Sequence, residues 1–103
     1  MTWIRACALD DIEPGEAVVV EVDPPVAVFN VDGEFLATAD TCTHARSSLA
    51  DGYIEGDQVE CSWHMAKFCL RTGKALTLPA TQPLTTYPTK VRNNEVFVEV
   101  TGD

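Results

Sequence analysis

The stretch Cys42-Thr43-His44-Ala45-Arg46-Ser47-Ser48-Leu49-Ala50-Asp51-Gly52-Tyr53-Ile54-Glu55-Gly56-Asp57-Gln58-Val59-Glu60-Cys61-Ser62-Trp63-His64 decides how the whole chain reads. It opens on C-x-H and closes on C-x-x-H, with sixteen residues between His44 and Cys61. These two histidines are the only ones in the protein, and each follows a cysteine by two or three positions. Matched Cys/His pairs that use every histidine point to one metal site. Thiolate together with imidazole suits zinc or iron–sulfur chemistry, whereas hard cations prefer carboxylate oxygens. A two-iron cluster needs ligands in twos, and each short loop supplies one sulfur and one imidazole. Cys42 and Cys61 would then hold one iron, and His44 and His64 the other.

The two boxes resemble those of Rieske [2Fe-2S] proteins, and the resemblance extends over nearly the whole chain. Leu9-Asp10-Asp11-Ile12-Glu13-Pro14-Gly15-Glu16, Asn30-Val31-Asp32-Gly33-Glu34-Phe35 and Phe68-Cys69-Leu70-Arg71-Thr72-Gly73-Lys74 look like the small Rieske ferredoxins of bacterial aromatic-ring dioxygenases. From Leu78-Pro79-Ala80 to Tyr87-Pro88 the likeness is greatest to the phenylpropionate/cinnamate type. The resemblance implies one [2Fe-2S] cluster on Cys42, His44, Cys61 and His64. It implies a soluble one-electron carrier with no catalysis of its own. Its expected partners are a flavin-dependent, NADH-oxidising ferredoxin reductase and a terminal aromatic-ring-hydroxylating oxygenase. No G-x-G-x-x-G follows a strand, and no histidine is left for an oxygenase's iron site, so both of those chemistries belong to other proteins.

Two neutral imidazoles in place of two thiolates leave the site less negative, which raises its potential into the Rieske range of about −150 to +300 mV. High-potential family members carry an extra cysteine in each box; here those positions are Ser47 and Trp63. The same members place serine and tyrosine hydroxyls after the second box, where this chain has Ala66 and Phe68. A potential near the lower end of the range is therefore expected, with Ser47, Ser48 and Ser62 as candidate compensating donors. The resemblance also implies that both imidazoles expose their free nitrogens at the loop tips, so that the potential falls as pH rises. Trp63, Met65, Leu49 and Pro79 are candidates for an apolar rim, and Arg46 departs from the glycine-rich run common after the first box.

At 103 residues the chain has the size of a single domain, 1–103, with the cluster-binding part at about residues 40–80. Its net charge of -9 argues against nucleic acid and against anionic membrane surfaces. Between residues 46 and 74 four basic residues (Arg46, Lys67, Arg71, Lys74) offset four acidic ones (Asp51, Glu55, Asp57, Glu60), so the excess acid lies on the rest of the chain. No basic-then-apolar leader and no apolar run of about 20 residues is present, which makes a cytoplasmic protein the simplest expectation. Cys7 and Cys69 lie in apolar, strand-like segments and are expected to be buried thiols rather than disulfide partners. Two other readings use the same four ligands: a structural Cys₂His₂ zinc domain, and a Rieske subunit serving another oxidoreductase.

Strand signals fill the remainder. Trp3 to Leu9 alternates, with Ile4, Ala6 and Ala8 opposite Arg5 and Cys7. Ala17 to Val22 and Val26 to Val31 are β-branched, separated by Asp23-Pro24-Pro25. Asp32-Gly33 is a two-residue hairpin turn leading into Glu34 to Thr38, so the first part of the chain reads as an antiparallel meander that delivers Cys42 at a strand end. Gln58 to Cys61, Lys67 to Leu70, Leu84 to Val91 and Glu95 to Val100 complete the set, the last two joined at Asn93-Asn94. Helical periodicity is absent. Short strands between turn residues predict an all-β fold, an antiparallel β sandwich or barrel with a small subdomain made from the two ligand loops.

Overall fold

Residues 26–31 set the architecture, because the strand they form is buried on both faces. The computed structural model describes residues 2–22, 24–41, 48–61, 66–76 and 83–100. In chain order the strands are β1 (Thr2–Ala8), β2 (Ala17–Val20), β3 (Val26–Val31), β4 (Glu34–Ala39), β5 (Tyr53–Glu55), β6 (Gln58–Glu60), β7 (Lys67–Cys69), β8 (Thr86–Tyr87), β9 (Thr89–Arg92) and β10 (Glu95–Val100). The only helical pieces among the described residues are 3₁₀ turns at Leu9–Asp11 and Leu49–Asp51. None is long and apolar enough to cross a membrane.

Among the described residues all strand pairings are antiparallel and form three sheets, ordered β1-β10-β9, β2-β3-β4-β8 and β5-β6-β7. Side chains alternate along a strand, so β3 serves two cores at once. Val26 and Val28 pack with Cys7, Phe35, Val96 and Val98 of the base. Ala27, Phe29 and Val31 pack with Leu49, Val59, Cys61, Phe68 and Leu70 under the small third sheet. Its apolar run, broken only at Asn30, is what a strand between two layers requires. Asn30, the one polar residue in it, is satisfied locally: its amide donates to Ile12 O at 3.0 Å and its carbonyl accepts from Gly33 N–H at 2.8 Å.

The expected all-β sandwich is thus present, with several differences in detail. The meander holds for β2-β3-β4 alone, since β1 leaves it to pair with β10. A β-bulge between Arg5 and Cys7 adds a residue to β1 and breaks its simple alternation: Cys7 is buried in the core, as expected of that thiol, and Ala6 packs partly buried against the same core. Strand β2 stops at Val20 because Val22 N–H folds back onto Val20 O at 2.9 Å. Leu84 to Val91 is not one strand. Pro88 divides it, and the chain changes sheets there, β8 pairing with β4 and β9 with β10. Thr89 Oγ1 secures the corner by donating to Phe35 O at 2.5 Å. Cys69 is half-buried rather than buried, because its neighbour Phe68 takes the inward position on β7.

Candidate metal centre

The first ligand loop rises from the end of β4, and one side chain organises both of its roots. Asp40 is 6% exposed. Its N–H donates to Pro25 O at 3.0 Å, and its carbonyl accepts Leu49 N–H at 2.7 Å. Both carboxylate oxygens take the Ser48 hydroxyl at 2.8 Å, and Oδ1 also accepts Ala50 N–H at 3.1 Å. Thr41 and Ser48 then pair as an isolated antiparallel bridge across the six residues 42–47. Leu49 follows, fully buried in the core that also contains Cys61.

The second loop is closed as tightly. Strand β6 ends at Glu60, and Cys61 N–H donates to Ala66 O at 2.7 Å, so residues 62–65 leave from and return to one hydrogen-bonded pair. A third connection, 77–82, starts beside the same end of β7: Leu76 N–H bonds to Lys67 O at 2.8 Å. The 3₁₀ turn comes close enough to β6 that a Cβ on Gly52 would lie 2.3 Å from Glu60 O. Only glycine fits there. These contacts bring the roots of both boxes onto one end of the β5-β6-β7 sheet, over one apolar core.

Of the four expected ligands, Cys61 is placed, fully buried beside Leu49, Val59, Ala66 and Phe68. Cys42, His44 and His64 lie outside the described residues, as do Arg46, Ser47, Ser62, Trp63, Met65 and Pro79. Two expectations are corrected. Leu49 is no rim residue, since none of its surface is exposed, and the Ser48 hydroxyl is committed to Asp40. Ala66 and Phe68 are both fully buried next to Cys61, so neither offers a hydroxyl at that position.

The family model for the Rieske [2Fe-2S] domain matches residues 2–88. The chain belongs to the Rieske family. The Rieske chain is 52% identical over 101 residues to the biphenyl dioxygenase ferredoxin subunit of Pseudomonas sp. strain KKS102, covering 96% of this chain and 93% of the relative. It is 50% identical over 101 residues to the 3-phenylpropionate/cinnamic acid dioxygenase ferredoxin subunit of Escherichia coli strain K12, covering 97% and 95%. Among solved structures it superposes with a TM-score of 0.89 and 39% identity on a chain of the complex of reduced oxygenase and oxidized ferredoxin in carbazole 1,9a-dioxygenase, covering 93% and 91%. The Rieske chain is accordingly an electron-transfer component rather than an enzyme, and its cofactor is one Rieske-type [2Fe-2S] cluster.

The residues present suit that group. The buried Cys61 sulfur, at the foot of a hydrogen-bonded loop, is placed where a cluster it held would be shielded from water. The sequence supplies a second matching cysteine and two imidazoles on loops whose roots are held together. Among the described residues no three His, Cys, Asp or Glu side chains gather into an alternative metal site. Away from the boxes, the two remaining thiols of the Rieske chain differ. Burial pushes the Cys7 thiol up, while hydrogen bonds from Thr72 pull the Cys69 thiol down. Arg71 was invisible as a structural residue in the sequence. Its guanidinium spans Glu34 on β4 and Asp57 in the β5–β6 turn, fastening the small sheet to the central one.

Proposed function

We propose that this chain is the ferredoxin component of an aromatic-ring-hydroxylating dioxygenase. It takes single electrons from a flavin-dependent, NADH-oxidising reductase and passes them to a terminal oxygenase. The observation that carries this reading is the near-full-length likeness to two dioxygenase ferredoxin subunits, with all four Cys and His positions of the boxes present. A third relative is known in complex with its oxygenase, which is the kind of partner proposed here.

Cys42 and Cys61 would hold one iron of the cluster, and His44 and His64 the other. Bound there, the cluster supplies reversible one-electron chemistry at a potential near the lower end of the Rieske range, about −150 mV. The rest is done by the chain itself. Leu49, Phe68 and Ala66 keep water from Cys61, the Asp40 and Cys61 hydrogen bonds fix the loop roots, and the β sandwich provides a rigid base. The whole of 1–103 acts as one domain, with about 40–80 as its cluster-binding part. A carrier fed from NADH operates in the cytoplasm, where a net charge of -9 favours solubility and transient, steered encounters.

Purification gives the first test: a red-brown protein with two irons and two sulfides per chain is expected, and a colourless protein with one zinc would overturn the reading. Aromatic hydroxylation by a reductase and oxygenase of the biphenyl or phenylpropionate type should then depend on added chain. The double variant H44A/H64A should abolish it. Retention of an unaltered cluster by that variant would refute the ligand assignment.

A further inference from the structure

Gly52 is a glycine that its own backbone does not require. The other described glycines, Gly15, Gly33, Gly56 and Gly73, all have positive φ. Gly52 has φ −82° and ψ −177°, an extended conformation open to any residue. It ends the 3₁₀ turn Leu49–Asp51, its N–H donating to Leu49 O at 3.0 Å, without the left-handed geometry that makes glycine common after a helix. The reason for glycine is therefore contact. A Cβ there would lie 2.3 Å from Glu60 O and 3.2 Å from Leu49 O, pinched between β6 and its own turn.

The atom it meets matters. Glu60 O belongs to the planar peptide unit whose other end is Cys61 N–H. That N–H donates to Ala66 O at 2.7 Å and closes the second loop. One rigid unit thus meets the Leu49–Asp51 turn on one side and the returning limb of the loop on the other. Pushing its oxygen away swings its N–H and displaces the Cys61 Cα, which lies in the same plane. The turn is fixed in its own right: Thr41 and Ser48 pair across residues 42–47, and Leu49 is fully buried in the core that contains Cys61. At Gly52 the limb leaving the first box therefore rests on the peptide that enters the second.

We propose that Gly52 is a positioning residue for the metal centre, its bare Cα letting the turn after the first box seat Cys61 at one fixed separation. This rests on the reading of Cys61 as a ligand. It adds to that reading a gauge that acts through backbone contact alone, without a charge or a side-chain hydrogen bond.

The test compares the holoproteins of wild type, G52A and G56A. Gly56 is the control: it lies in the β5–β6 turn of the same sheet, and a Cβ there meets nothing within 4 Å, so G56A adds backbone strain without touching the Cys61 peptide. Iron and sulfide content, the EPR g values of the reduced cluster and the rate of iron loss to a ferrous chelator are read for each. G52A is expected to show displaced g values and to release iron about tenfold faster than wild type, the scale typical for disturbing the support of a metal ligand. Folded G52A that holds no iron while G56A is fully loaded supports the proposal likewise. G56A is expected to match wild type throughout. Wild-type g values or wild-type release in G52A overturns the proposal, and so does an equal change in G56A, which would report general destabilisation. Should G52A not fold, as read by circular dichroism, L49V decides, because it loosens the same turn over the core of Cys61 without a clash. Displaced g values with faster release then support the gauge, and wild-type behaviour in either overturns it. Failure of the ligand reading is distinct: wild-type protein itself would lack a [2Fe-2S] cluster, and both readings would fall.

Discussion

The Arg71 guanidinium grips the Glu34 carboxylate in a two-pronged pair, Nη1 to Oε2 at 2.8 Å and Nη2 to Oε1 at 2.7 Å. Its third donor, Nε, reaches Asp57 Oδ2 at 3.3 Å. One side chain on the turn after β7 therefore ties together the Asp32-Gly33 hairpin and the β5–β6 turn. The pair links the layer that carries the two Cys/His boxes to the central sheet.

That pair makes a pH-dependent contribution to stability. The guanidinium beside it holds the Glu34 carboxyl below its ordinary range. A depressed folded-state pKa means stability that is present above the ordinary glutamate value of about 4.3 and lost as pH falls through the lower folded value. Both partners are exposed, so the effect is small and screened by salt. E34Q should melt slightly below wild type at neutral pH and low salt, and the gap should close in acid or at 1 M salt. Thermal melts across pH check this; a gap that persists at acid pH would contradict it.

Gly73 and Gly33 both have positive φ, +78° and +91°, yet they should not respond alike to alanine. Around Gly33 there is open space, so G33A carries only the left-handed backbone strain, about 1–2 kcal/mol. At Gly73 a Cβ would lie 2.1 Å from Leu84 O, the same residue whose N–H bonds to Gly73 O at 2.7 Å. G73A should therefore cost about 3 kcal/mol or more, because backbone must move as well. Urea unfolding of the two variants measures the difference. Equal losses would mean that the close approach of Leu84 is not maintained in solution.

Phe29 faces the core that contains Leu49, Cys61 and Ala66, with none of its surface exposed. F29A should destabilise the protein by about 3–5 kcal/mol, a large part of what a domain of this size has. Because Phe29 shares that core with Cys61, the loss should be accompanied by faster cluster release to a chelator. Destabilisation without faster release would separate the core from the metal centre.

Much of this architecture is legible in the sequence for reasons that are local. Asp32-Gly33 and Asn93-Asn94 are turn pairs because those residues accept positive φ, and Asp32, Gly33, Asn93 and Asn94 do adopt it. The β-branched run 26–31 and the matched boxes are equally plain. What is hidden depends on partners far along the chain. Tyr53–Glu55 becomes a strand only by pairing with Gln58–Glu60, and three residues carry too little pattern to announce it. The bulge in β1 is set by β10, some ninety residues later, and it brings the adjacent Ala6 and Cys7 both against one core, which simple alternation would not. Asp40 looks like an ordinary polar residue after a strand. Its importance comes from Ser48 and Ala50 folding back over it. The Arg71 pair has the same character, its acid lying 37 positions upstream.

Ala66 and Phe68 offer a direct way to raise the potential. Each is fully buried in the core that contains Cys61, and the resemblance to Rieske proteins implies a hydroxyl at each position in high-potential members. Hydrogen bonds to cluster and ligand sulfurs raise the potential by stabilising the reduced, more negative state. A66S and F68Y should both shift it upward, with the double variant highest. Voltammetry of the three variants at one pH is sufficient. An unchanged potential in A66S would mean that residue 66 does not face the sulfurs.

The two thiols outside the boxes should differ sharply in reactivity, since only the thiolate is nucleophilic. Hydrogen bonds from Thr72, side chain first and then backbone, stabilise the Cys69 thiolate, and Cys69 is half-buried on the outer face of β7. Cys7 is 5% exposed and burial favours its neutral form. Iodoacetamide on the holoprotein at neutral pH should therefore label Cys69 first and leave Cys7 unmodified until the protein is unfolded. T72V should slow Cys69 by removing the hydroxyl donor, and its rate should then catch up with wild type as pH rises past the thiol range. Peptide mapping by mass spectrometry gives both rates. Labelling of Cys7 at the rate of Cys69 would show that the bulge in β1 does not bury it.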